Sequence, residues 1–290
     1  MLDLDHVLLT RFNLPSDGVE GLIRAQDGWL RDRVALFELY CAPSVCNQTC
    51  QNFRWIVYFD PDSPEWLHGW ASKYAPGRFT PIFRPSVSSH ELIIDIKTLL
   101  DGDNPILITT NIDNDDALAL DFVERVQAAA PSYTERTALY ITHGLIKNGT
   151  DLYFRRDARN AFCSVAESWD SPSTCWCDWH NLLGKSMEVR QLAEGPGWLQ
   201  VVHGRNVSNR VRGRLVSASE YMRLFPDLLD DVTPVSLRAQ VIDTILSRPV
   251  RALKETGRAV VKRVAMRAFG KEGLSRAKIF WVSRYGHLNF

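Results

Sequence analysis

The chain has 290 residues, 45% of them hydrophobic and 23% charged, an ordinary globular composition too rich in apolar and aromatic side chains for a disordered protein. Lys plus Arg equals Asp plus Glu at 34 each, so the whole molecule carries no electrostatic bias toward nucleic acid, and the length suits one large domain with an appendage. There is no run of about 18 apolar residues to cross a membrane, and the opening MLDLDHVLLTRFNL has acids where a secretory signal has a basic region, so a cytoplasmic protein with six free thiols is expected.

Strand-like apolar runs fall at HVLLTRF (6–12), FRWIVYF (53–59), PILITTNI (105–112), TALYITHG (137–144) and WLQVV (198–202). Leu30, Val34, Phe37 and Cys41 recur at helical steps after the first run, and Leu118, Phe122 and Val126 recur every four residues after the third. Strands alternating with helices predict an α/β fold with a mostly parallel central sheet flanked by helices. The segment 144–197 breaks the rhythm with Asn148-Gly149, Ser171-Pro172-Ser173 and Gly195-Pro196-Gly197, and it carries Trp169, Trp176 and Trp179. It is expected to form loops and irregular strands over a binding cleft. From Arg248 to Arg284 eleven Lys or Arg stand against two Glu, a local charge of +9 that leaves −9 for the rest. That shift divides the chain into a catalytic domain, 1–235, and a basic helical C-terminal extension, 236–290.

The most informative stretch is ITTNIDNDDALALDFVERV, where an apolar strand runs into Asp113-Asn114-Asp115-Asp116. In an open α/β sheet ligands sit at the carboxyl ends of strands, so three acids gather where a ligand belongs. Carboxylates this close repel, and a divalent cation among them, Mg2+ or Mn2+, would offset that and reach substrate phosphates. By the same logic, deleting one acid should leave the empty protein as stable or more so. Capping of the following helix is the bland alternative. A calcium EF-hand loop is a third, with Glu124 in twelfth place but Leu118 where the loop needs glycine.

Four blocks in order, VLLTRFNL, WLRDRVALFELYCAPSVCNQTCQNFRWIVYFDPDSPEWL, ITTNIDNDDAL and WLQVVHGRNVSNR, resemble the bacterial family called putative rhamnosyltransferases over about residues 6 to 215. These are GT-A-like glycosyltransferases. The resemblance implies a single GT-A-like domain and a nucleotide-sugar donor held by a metal at the acidic cluster. Where the family pattern has an arginine two residues before the first aspartate, this chain has Asn111.

On that resemblance Asp113, Asp115 and His203 are the expected metal ligands, His203 because it follows the WLQVV strand. Arg11, Asn13, Asp60, Asp113, Arg205 and Arg210 are expected around the nucleotide and its diphosphate. Asp60 equally suits a turn, since Asp-Pro-Asp-Ser-Pro forms one without any ligand. Asp116 is a catalytic candidate within the cluster, and Glu167, close to Trp169, is the expected base for the acceptor hydroxyl. The implied reaction moves a sugar, such as rhamnose, onto a saccharide or glycolipid acceptor in bacterial surface polysaccharide synthesis. The alternatives are a nucleotidyltransferase, for which no Gly-rich phosphate loop is present, and a non-catalytic sugar-binding domain. In the basic segment 248–284, Val250, Leu253, Val260, Val264 and Ala268 recur at helical spacing among the charges. That segment either packs on the catalytic domain or makes peripheral contact with an anionic membrane at its inner face.

Overall fold

The computed structural model describes residues 3–15, 28–100, 102, 104–130, 135–203, 210–251 and 253. The elements run β1 (Leu4–Arg11), α1 (Trp29–Leu36), a π-helical turn (Phe37–Cys41), α2 (Ala42–Cys46), β2 (Arg54–Phe59), α3 (Glu65–Tyr74), β3 (Thr80–Phe83) and α4 (Ser89–Leu99). Then come β4 (Ile106–Asn111), β5 (Ala117–Leu118), α5 (Phe122–Ala129), β6 (Thr137–Asn148), β7 (Asp151–Arg156) and β8 (Ser164–Ser168). β9 (Glu188–Val202), β10 (Arg214–Leu215), α6 (Leu237–Ile242) and a second π-helical turn (Asp243–Ser247) complete the described part.

The sheet order is β10-β7-β6-β8-β4-β1-β2-β3, with β9 alongside β6 and β5. Strands β3, β2, β1 and β4 are mutually parallel, and β8 joins β4 antiparallel. The α/β fold with a largely parallel central sheet is thus as expected. It follows from side-chain alternation in strands whose two faces are both buried. Leu4, Leu8 and Phe12 join Trp55, Val57 and Phe59 in one core with Phe37, Leu67 and Phe122 from the helices. Val7 and Leu9 join Ile56, Tyr58 and Leu107 in a second core, closed by Leu92 and Ile96 of α4. Serine and glutamate fix where α4 begins: Ser88 accepts from the Glu91 amide at 3.2 Å while Glu91 accepts from the Ser88 amide at 2.8 Å. A third core, containing Leu145, Leu199, Tyr221, Phe225 and Leu229, ends at Val232, just before α6.

Two expectations need correction. Leu118 belongs to β5, not to a helix: Ala117 and Leu118 pair antiparallel with Leu199 and Trp198, and α5 starts only at Phe122. Strand pairing across the fold overrides four-residue spacing there. The segment 144–197 is also more regular than its turn residues suggest, holding the end of β6, β7, β8 and much of β9. Gly144 makes this arrangement possible, since a Cβ there would meet the Trp198 ring at 2.0 Å.

Candidate active site

The acidic turn is held by the ends of three strands. Asn111 and Ile112 still donate backbone hydrogen bonds, to Cys163 O at 2.9 Å and Leu9 O at 3.1 Å, after which the chain turns. Asn114 folds back and donates to the carbonyls of Phe12 and Arg11, stitching the end of β4 to the end of β1. Asp115 Oδ2 accepts from Arg33 Nη1 and lies 2.9 Å from His203 Nε2. Arg33 also donates to Asn114 Oδ1 at 3.2 Å. Asp116 Oδ1 accepts from the Val201 amide at 2.8 Å, fastening the turn to β9 two residues before His203. Its other oxygen, Oδ2, is buried and has no partner among the described residues.

The three acids therefore carry unlike electrostatics. Burial alone would raise the Asp115 carboxyl, but the His203 hydrogen bond and the Arg33 charge outweigh it, and the net displacement is downward. Burial, then the charges of Asp115 and Asp113, push Asp116 well above the usual carboxylate range. Asp113 opens onto a cleft while protein crowds its other sides. That desolvation, with the Asp115 charge, pushes its carboxyl up to about 6. None of the acids caps a helix, since Asp121 occupies the N-cap of α5, and β5 interrupts the segment an EF-hand loop would need.

The cleft beside the turn has a volume of about 1100 Å³. Asp113, Asn114, Asp115 and Arg33 line it together with Arg11, Trp176, Arg155, Asp157, Trp179 and His180. Arg11 lies 3.9 Å over the Trp176 ring, and Trp176 donates to Asn111 Oδ1 at 2.7 Å. Asn111 thus orients an aromatic side chain of the cleft. Trp179 is 74% exposed.

Of the sequence-predicted residues, the structure brings Arg11, Asp113, Asp115 and Arg210 to the cleft wall and sets His203 against Asp115. Arg205 lies outside the described residues. Asn13 and Asp60 are not cleft-lining. Asn13 accepts from the Asp60 amide at 3.1 Å and donates to Ser63 Oγ at 2.9 Å, while Asp60 Oδ1 accepts from the Asp62 amide at 2.9 Å. The pair ties two strand-end loops together through an Asx turn.

Glu167 is not brought to the cleft either. β8 runs antiparallel to β4 and sets Glu167 opposite Leu107, six residues and roughly 20 Å of strand before Asp113. Its carboxylate, 3% exposed as a residue, accepts from Arg136 Nε at 2.7 Å, the Ser173 amide at 3.0 Å and the Thr174 amide at 2.7 Å. From that foot the loop climbs along β4: the Cys175 amide donates to Thr109 Oγ1 at 2.8 Å, and Trp176 reaches Asn111. Glu167 anchors the loop that presents Trp176.

Sequence reasoning missed Arg33, the buried partner of Asp115. Its signal was a guanidinium three residues after Leu30, beside the apolar stripe of α1, where burial demands an anionic partner. Arg155 and Asp157 were missed because β7 was not foreseen.

Among the described residues no three His, Cys, Asp or Glu side chains converge as a closed metal cage would require. An octahedral cation such as Mg2+ commonly takes one or two carboxylates and completes its shell with water and substrate phosphates. Asp115 paired with His203, with Asp113 opening onto the cleft beside them, is chemically compatible with that incomplete shell.

A family profile described as putative rhamnosyl transferase matches residues 5–215, most of the chain. The chain belongs to that family. Its description is that of a glycosyltransferase, so the chain is an enzyme that transfers a sugar. A search of curated proteins finds no match. Among solved structures, a putative nucleotide-diphospho-sugar transferase from Desulfovibrio desulfuricans G20 is 10% identical with a TM-score of 0.35, covering 69% of this chain and 81% of that one. S. aureus TarS 1–349 in complex with UDP-GlcNAc is 10% identical with a TM-score of 0.43, covering 99% and 93%. An inositol-1-phosphate CTP transferase from T. maritima is 8% identical with a TM-score of 0.38, covering 80% and 98%.

Proposed function

We propose that the chain moves a sugar, rhamnose or a close relative, from a nucleoside-diphosphate donor bound in the cleft to a saccharide or glycolipid acceptor in bacterial surface polysaccharide synthesis. The observation that carries this is the approach of Asp115, from the end of β4, to His203, from the end of β9, at 2.9 Å beside the cleft. Two residues 88 positions apart supply a carboxylate and an imidazole beside a cavity with arginines on its wall. Asp115 and His203 would hold Mn2+ or Mg2+, which supplies positive charge where the diphosphate departs. Asp113 faces the donor as a hydrogen-bond acceptor, and Arg11 and Arg210 donate to its phosphate oxygens. Asp116 acts through β9: by holding the Val201 amide it sets where His203 stands.

In the transfer the bond from the anomeric carbon to the diphosphate oxygen breaks with its electron pair leaving on the diphosphate. The acceptor oxygen bonds to that carbon and its proton passes to bulk water. Release of nucleoside diphosphate from a panel of nucleotide sugars, with and without Mn2+, tests this. The same panel scored for pyrophosphate release distinguishes a nucleotidyltransferase, and binding without release of either product indicates a sugar-binding domain. Among the described residues no helix is long and apolar enough to cross a membrane.

A further inference from the structure

The segment after the third core places polar groups inward and apolar groups outward. Asp243 is buried, accepting from the Leu215 amide at 3.0 Å and from Arg251 at 2.7 and 3.1 Å. Arg251 lies 5.0 Å over the Tyr153 ring and donates to Gly213 O at 3.2 Å. The opposite side is a stripe of large apolar residues: Leu237 is 81% exposed, Val241 55%, Leu246 61%, Val250 50% and Leu253 72%. Their spacing keeps them in line. Leu237 to Val241 is one α-helical step, Val241 to Leu246 crosses the π-helical turn with its extra residue, and Val250 and Leu253 follow at four and three. Ile245, 65% exposed, flanks the stripe. A contiguous apolar surface of this kind marks a contact.

Charge indicates the partner. Arg238 and Arg248 stand on the same segment, and residues 254–290 contain nine Lys or Arg against two Glu. A second copy of this chain would add a further tail of the same sign, with no opposite charge to meet it. An anionic bilayer takes both features at once, apolar side chains at the headgroup boundary and cations on lipid phosphates. We propose that the outward face of residues 237–253 docks on an anionic membrane surface, with the basic residues beyond it adding electrostatic attraction. This does not depend on which reaction the cleft performs.

Flotation of the full chain with vesicles tests it, one set of equal parts phosphatidylglycerol and phosphatidylcholine, the other pure phosphatidylcholine. The chain is expected to float with the anionic vesicles and not the neutral ones, and to release as salt is raised. The triple substitution Leu237→Ser, Val241→Ser and Leu246→Ser should lower partitioning by about tenfold or more at an unchanged melting temperature, because all three side chains are exposed. Equal flotation of wild type and triple variant overturns the proposal, as does equal binding to neutral vesicles. Failure of the wild type to float also overturns it. If light scattering then shows a dimer that the substitutions break, a second copy covers the stripe; if it shows a monomer, the chain's own tail does.

Discussion

Asp115 and Glu167 are both buried and both paired with an arginine, one in the turn after β4 and the other on the adjacent strand β8, yet they do different work. Asp115 stands where β4 ends, on a cleft wall, sharing its carboxylate between Arg33 and His203. Glu167 stands beside the start of the same strand and gives its oxygens to Arg136 and two backbone amides. A carboxylate becomes available for chemistry when its partners are side chains that a ligand can rearrange. One saturated by backbone amides holds a loop instead.

Asp115→Ala should break the contrast most severely. Donor turnover should fall by about 100-fold or more. The melting temperature should also drop, contrary to the relief of repulsion expected from the sequence, because the buried Arg33 loses its anion, a loss of about 3 kcal/mol. Thermal denaturation without donor checks this, and an unchanged or raised transition would mean Arg33 finds another partner. Asp113→Asn gives the opposite sign. The Asp113 carboxyl is raised to about 6, above its unfolded value, so its contribution to stability is present at low pH and lost as pH rises through about 6. At pH 7 that variant should melt at the same temperature as wild type or higher.

Glu167→Ala should destabilise by about 2–4 kcal/mol through the stranded Arg136 and two unpaired amides. The conservative Glu167→Gln separates loop anchoring from proton transfer. Anchoring predicts a raised donor KM, kcat within about tenfold of wild type and an unshifted pH profile. A base at this position predicts instead a loss of kcat of about 100-fold or more. His203→Ala should weaken metal dependence or activity by about 10- to 100-fold, read as a shifted Mn2+ titration; an unchanged titration would assign His203 to holding Asp115 alone.

An effect seen only in acid lies between the two sites, where β1, β4 and β8 meet. His6 Nε2 lies 2.8 Å from Thr110 Oγ1, Thr110 lies 2.6 Å from Ser164 Oγ, and Gln127 donates to His6 Nδ1 at 3.3 Å. Burial lowers His6 from its usual 6.5 to about 3, so the folded chain keeps it neutral while the unfolded chain protonates. Stability should fall as pH drops from about 6.5 to about 3, with a slope from this group approaching 1.4 kcal/mol per pH unit. His6→Gln should flatten that part of a denaturant-melt series.

What the sequence determined by itself was short-range. Apolar runs named five strands, and the run 105–112 led directly into the acids that line the cleft, because alternation and burial are properties of neighbouring residues. His203 was legible as a residue just after a strand, and the Asx turn at Asp60 from its own five residues. Only the tertiary structure decided that Arg33 faces Asp115 across 82 residues, that β8 runs against β4 and carries Glu167 away from the cleft, and that Asp243 of the second π-helical turn faces inward. Strand direction and the partner of a buried charge depend on how distant segments pack, and no local pattern of residues specifies either one.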